Sequence, residues 1–222
     1  MNIIQNIDNF MQKIYNNPNH RYTSWEICFQ AFGNDNLNDE TKTLHLSGYL
    51  ASWGMYRGSS KLLSEYNYII FKDLVPILNE YMDLRKEFLE ESDYDRFLEV
   101  VNKITTFLDE RDIASTDTLI TKIILGVYGC FPALDEYFQK GFKSYNNIKI
   151  SISQKNVFKT FYENIKSFYF ANETIFDTKR REIRANRGID YSPMKLIDMC
   201  FWEYGNLLKE LEKITKRLQN ES

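Results

Sequence analysis

The sequence predicts an all-α fold in a single globular multi-helix domain spanning residues 1–222. Apolar residues recur at three- and four-residue spacing through most of the chain. Glycine and proline number only 9 and 4 among 222 residues, too few for a turn-rich β sandwich. One short segment alternates in strand fashion, and it has no companion with which to form a sheet.

The elements follow in order. Ile3, Ile4, Ile7, Phe10, Met11 and Ile14 share one helical face. Residues 16–20, with Pro18, end that helix. Thr23-Ser24-Trp25-Glu26 reads as a capping box opening a second helix, which Gly33 stops. A polar loop leads to residues 41–60, where Leu44, His45, Tyr49 and Trp53 line a third helix and Gly48, Ala51 and Gly54 leave room for a neighbouring backbone. Residues 61–88 read as helix, interrupted near Asp73 by Pro76. Residues 93–109 form another helix, with Phe97, Leu98, Val101, Ile104 and Leu108 inward. Ile148, Ile150 and Ile152 alternate as a short strand or extended loop. Helical spacing returns over 157–170. Ser192-Pro193 starts a last helix, which buries Met194, Ile197, Phe201, Trp202 and Leu207 before thinning into a charged tail.

Composition limits the function classes. Hydrophobic residues make up 43% and aromatics 15%, enough for a large core. The abundance of Asn, Ile, Lys and Tyr matches an AT-rich bacterial coding bias. A net charge of −3 carries no signature of a general polyanion binder. Cys28, Cys130 and Cys200 lie far apart and read as reduced core residues, which fits a cytoplasmic protein. With His20 and His45 as the two histidines, no metal site and no metal-dependent hydrolase is expected. No cofactor is implied. Neither a secretion signal nor an apolar run of the roughly 18 residues that span a membrane is present, so no membrane partner is expected.

Chemistry is legible in residues 115–142. Ser115 or Thr116 caps a helix running through Thr121, Lys122 and Leu125, and Gly126 and Gly129 release it into a turn. Pro132 opens the next helix, with Asp135 in its first turn, where the helix dipole favours a carboxylate. Lys122 and Asp135 are thereby brought towards each other. The pattern Thr121-Lys122, apolar Ile123-Ile124-Leu125, turn Gly129-Cys130-Phe131 and Pro132-Ala133-Leu134-Asp135 resembles the catalytic segment of the helix-hairpin-helix DNA glycosylases. The hairpin before the lysine reads Asp117-Thr118-Leu119-Ile120 rather than the family's Gly-Val-Gly type, and the Lys-to-Asp spacing is shorter.

The resemblance implies an enzyme that cleaves the N-glycosidic bond of a flipped base in DNA, in repair or phage defence. Asp135 would stabilise positive charge developing on the sugar or activate water, and Lys122 would attack the sugar carbon. Trp25, Trp53, Tyr49 and Tyr56 are candidates for the base pocket. Arg57, Ser59 and Ser60, at a turn before a helix, are a candidate phosphate site. Arg180, Arg181, Arg184 and Arg187 form the strongest basic patch. That patch also supports an alternative, a non-enzymatic helical module that binds nucleic acid or another protein in a defence or repair assembly. On the enzymatic reading, Asp135→Asn abolishes base release and leaves the fold intact.

Overall fold

A computed structural model describes residues 1–57 and 61–220. Its helices are α1 (Ile3–Asn16), α2 (Thr23–Phe32), α3 (Asp39–Ser52), α4 (Lys61–Ser64), α5 (Leu74–Asn79), α6 (Tyr94–Asp109), α7 (Asp117–Val127), α8 (Glu136–Tyr145), α9 (Lys155–Ala171), α10 (Glu173–Arg187) and α11 (Pro193–Asn220). No strand occurs among the described residues, so the all-α class holds. None of these helices is long and apolar enough to cross a membrane.

The helices with clean 3.6-residue periodicity form as the sequence predicts. α1 buries Ile3, Ile7, Phe10, Met11 and Ile14, and α6 buries Phe97, Val101, Ile104 and Leu108. Both join one continuous apolar core that also takes in α7, α9 and α11.

Three local expectations are corrected. Residues 61–88 are not one interrupted helix. They break into α4, a 3₁₀ stretch at Tyr68–Asp73, α5 and a second 3₁₀ turn at Met82–Leu84. Pro76 is the third residue of α5, in the first turn, where a missing N–H costs no hydrogen bond. Residues 148–151 form neither helix nor strand, which leaves the loop alternative of the sequence reading, and Ile152 is buried. Thr23 and Glu26 do not form a capping box. Tyr22 is the N-cap, the Thr23 hydroxyl donates to the His20 carbonyl at 2.8 Å, and the Glu26 carboxylate points into the protein. Gly48 is exposed, and no backbone approaches it.

Close backbone approach occurs instead where α8 crosses α11. A Cβ on Gly141 would overlap the carbonyl oxygen of Phe201, and one on Gly205 would overlap the carbonyl oxygen of Tyr137. Hydrogen there lets the two helices touch main chain to main chain. The crossing sets the site geometry, because Asp135 directly precedes α8 and Trp202 follows Phe201. A second fastening is Arg85. Its guanidinium donates to the carbonyls of Val127 and Phe29, each at 2.8 Å, near the C-terminal ends of α7 and α2. Positive charge is favoured there by both helix dipoles.

Candidate active site

The site is built outward from α7. Thr116 caps that helix by accepting the Leu119 N–H. The chain after α7 does not re-enter a helix at Pro132. Residues 128–134 are irregular, and α8 begins at Glu136 with Asp135 as its N-cap. Two threonines fasten this returning strand of chain to α7. Thr121 Oγ1 accepts the Leu134 N–H at 2.8 Å, and Thr118 Oγ1 donates to the Leu134 carbonyl at 2.9 Å. From the other side, Asp198 Oδ1 on α11 accepts the Ala133 N–H at 3.1 Å. Three hydrogen bonds therefore fix the two residues that precede Asp135.

The result is that Lys122 Nζ donates to Asp135 Oδ2 at 2.8 Å, with the two side chains only 4% and 13% exposed. Every acceptor position of the carboxylate that matters is used. Oδ1 accepts the backbone N–H groups of Tyr137 and Phe138 at 3.1 and 3.0 Å, and Oδ2 also accepts Trp202 Nε1 at 3.1 Å. A carboxylate held by this many donors keeps one orientation.

Aromatic rings surround the pair. Lys122 Nζ lies 4.4 Å from the centre of Trp53, and Trp53 meets Trp202 edge-on at 5.8 Å. Tyr137 packs on Trp202 at 4.9 Å. The guanidinium of Arg21 lies over Trp53 at 4.8 Å. With Met55 and Glu136, these residues, Lys122 and Asp135 line a small open pocket of about 150 Å³.

A second charged pair, Lys195 and Asp198, lies nearby, with Lys195 Nζ 5.7 Å from the centre of Trp53. Lys195 Nζ donates to Asp198 Oδ2 at 2.9 Å, both fully inside the protein. Burial pulls the Lys195 ammonium below the usual lysine range, and Asp198 partly restores it. Lys195 also sits 4.8 Å from the centre of Phe10, which stacks in a row with Tyr22 and Trp53. Among the described residues no group of three or more His, Cys, Asp and Glu side chains could hold a metal ion.

No protein-family model, curated protein or solved structure matches this chain.

Of the residues singled out in the sequence, the structure brings together Lys122, Asp135 and Trp53. Trp25 is placed elsewhere. It is wholly buried, stacks on Phe29 at 4.7 Å and donates from Nε1 to the Leu125 carbonyl at 2.9 Å, which makes it a core residue. Tyr49 is also core. Its ring lies over Gly126, where a Cβ would come within 2.7 Å, and burial raises its phenol far above the usual range. Tyr56 packs half-buried against the core and does not line this pocket. Arg57 is exposed beside a shallow cleft of about 180 Å³ with Thr116, Thr118 and Leu119 at the start of α7. Ser59 and Ser60 lie outside the described residues.

Two of the four arginines of the basic patch on α10 are neutralised. Arg180 holds Asp190 in a two-point contact at 2.7 and 2.8 Å and also pairs with Glu87 at 2.5 Å. Arg187 clasps the buried Glu26 at 3.0 and 2.5 Å, and Tyr191 donates to the same carboxylate at 2.6 Å. Arg181 and Arg184 stay exposed and make no ion pair among the described residues. Arg187 is therefore a structural cation. Arg187→Ala leaves Glu26 buried without its counter-charge and is expected to lower the unfolding free energy by about 2–3 kcal/mol. Urea denaturation checks this; a loss below about 0.5 kcal/mol would return Arg187 to the solvated face that a plain surface cation occupies.

Sequence reasoning missed Arg21, Tyr137 and Trp202 as site residues. Arg21 offers no periodic signal. Trp202 did carry one, since Lys195, Asp198 and Trp202 recur at three- and four-residue spacing on one face of an otherwise apolar run. Charged residues on a buried helix face mark a place where the core needs polar partners.

Proposed function

We propose that the chain is a DNA-base-processing enzyme of the glycosylase type, which cleaves the N-glycosidic bond of a base rotated out of the duplex. The single observation that carries this reading is the meeting of Lys122 and Asp135 at 2.8 Å in the lining of a pocket that they share with Trp53, Tyr137 and Trp202. An amine beside a carboxylate, under aromatic faces, is what the resemblance of residues 121–135 calls for.

The chemistry assigns each group a role. The extruded base lies against the rings. Asp135 Oδ2 takes a proton from the Lys122 ammonium, which frees the amine lone pair. That pair attacks C1′ of the sugar, forming a C–N bond as the bond from C1′ to the base breaks. The base leaves with the bonding electrons and takes the proton that Asp135 had accepted, which restores the carboxylate. Sugar-ring opening then yields an imine on Lys122. Once that proton is given up, the fixed carboxylate of Asp135 balances the positive charge of the protonated imine on Lys122 without reorganisation. Arg21, over Trp53 at the pocket and exposed, is positioned for a flanking phosphate. Arg57, Arg181 and Arg184 supply further exposed cations for the DNA backbone.

The test is incubation with duplex DNA carrying a panel of damaged or modified bases, followed by alkali to cut abasic sites, with a borohydride arm to trap an imine. The expected result is strand cleavage that Asp135→Asn abolishes and trapping that Lys122→Ala abolishes. Silence across the panel, with salt-sensitive DNA binding that survives both changes, would replace the enzyme with a binding module. Silence without binding would remove DNA from the account.

A further inference from the structure

α11 runs beyond the body of the protein. Residues 211–219 are all exposed, although the helix continues through them. Leu207, Leu211, Ile214 and Leu218 stand out at 47%, 51%, 52% and 63% exposed. Their spacing of four, three and four residues is that of a coiled-coil seam, with Leu207 and Ile214 at d and Leu211 and Leu218 at a.

The seam continues a face that is covered further back. Cys200 and Glu203, on the same side of α11, are met by α1 through Asn6 and Lys13, at 3.9 and 2.5 Å. Beyond the reach of α1 that face is bare. A different face is tied to α8, by Lys209 to Glu136 at 2.7 Å and by Lys140 to Glu212. These ties set the direction of the arm and leave the seam open. A helical end of this length draws little stability from propensity alone, so its apolar stripe is the part that packing can hold.

We propose that the seam is an interface with a second copy of this chain, packed antiparallel. The flanking residues decide both occupant and direction. In this register the g positions are Glu210 and Arg217, and the e positions are Leu208 and Thr215. In a parallel pair g faces e, so Glu210 would meet Thr215 and no opposite charges would come together. In an antiparallel pair Leu207 layers against Leu218 of the second copy and Leu211 against its Ile214. Position g then faces g. Glu210 lies opposite Arg217 of the second copy, and two-fold symmetry repeats the pair. Neither Glu210 nor Arg217 makes an ion pair within the chain among the described residues. Sequence, register and charge agree on one self-complementary arrangement. It does not depend on the glycosylase reading.

Sedimentation velocity of the full chain across a concentration series tests it. The expected result is a concentration-dependent species of twice the 26.5 kDa monomer mass. Ile214→Asp should abolish it. Glu210→Arg or Arg217→Glu alone sets like charges against each other twice and should raise the dimer Kd about tenfold. The double variant Glu210→Arg/Arg217→Glu restores both pairs and should recover the original Kd. Mixing Leu211→Cys with Ile214→Cys chains under oxidation should give the mixed disulfide dimer rather than the two like dimers. A wild-type chain that stays monomeric at the highest concentration reached overturns the proposal. So does a dimer that survives Ile214→Asp, or one in which the double reversal is as weak as either single change.

Discussion

Gly205→Ala is expected to lower the unfolding free energy by about 3 kcal/mol or more, as large as any single-methyl change in this chain. The Cβ it adds would fall inside the carbonyl oxygen of Tyr137, and a backbone atom has no rotamer through which to move aside. Gly141→Ala meets the Phe201 carbonyl in the same way and should cost a similar amount. Relief requires α8 and α11 to separate, which opens the contacts of Phe138 and Phe142 with Phe201. It also carries Asp135 away from Trp202, so both variants should lose the site along with stability. Gly48→Ala is the control. Gly48 lies in the interior of α3 with open space around it, and alanine there should raise stability by about 0.5–1 kcal/mol. Urea denaturation of all three variants gives the answer. A cost below about 1 kcal/mol at Gly205 would mean that the helices do not touch main chain to main chain.

This crossing also shows what a sequence carries and what it does not. α1 and α6 are legible because their apolar residues follow one period and face one core. Gly141 and Gly205 each look like an ordinary glycine in a helix interior, and only the tertiary pairing gives them a role. Residues 61–88 are apolar at many positions in succession, so no period separates α4, α5 and the 3₁₀ turns between them. Lys122 and Asp135 were legible because they lie 13 residues apart across one turn. Trp202 reaches the same carboxylate from 67 residues away, on a helix whose place depends on the glycine crossing. The arginines of α10 were legible as charge, whereas their partners Glu26, Glu87 and Asp190 lie on other segments. A basic run states where cations are and leaves open what they hold.

Asp135→Asn is expected to cost about 3 kcal/mol of stability, so the fold does not escape the change that abolishes base release. Asparagine can still cap α8, since its carbonyl oxygen accepts the N–H groups of Tyr137 and Phe138 as Oδ1 does now. Its amide group then faces the Lys122 ammonium and the Trp202 N–H, which sets donors against donors in a buried site. Lys122 is left charged and without a partner. Lys122→Met removes the other half at lower cost, about 1 kcal/mol, because Asp135 keeps three donors around its carboxylate and the thioether fills the space over Trp53. The double variant Lys122→Met/Asp135→Asn should therefore be more stable than Asp135→Asn alone, with a coupling of about 1–2 kcal/mol in the cycle. Urea denaturation of the four proteins measures it. Additive losses would show that the two side chains do not share a desolvated pair. Activity is read on the folded fraction of each variant, since only a loss beyond the unfolded population bears on the chemistry. Base release lost in Asp135→Asn while the protein remains mostly folded would separate the role of the carboxylate at the sugar from its role in holding Lys122.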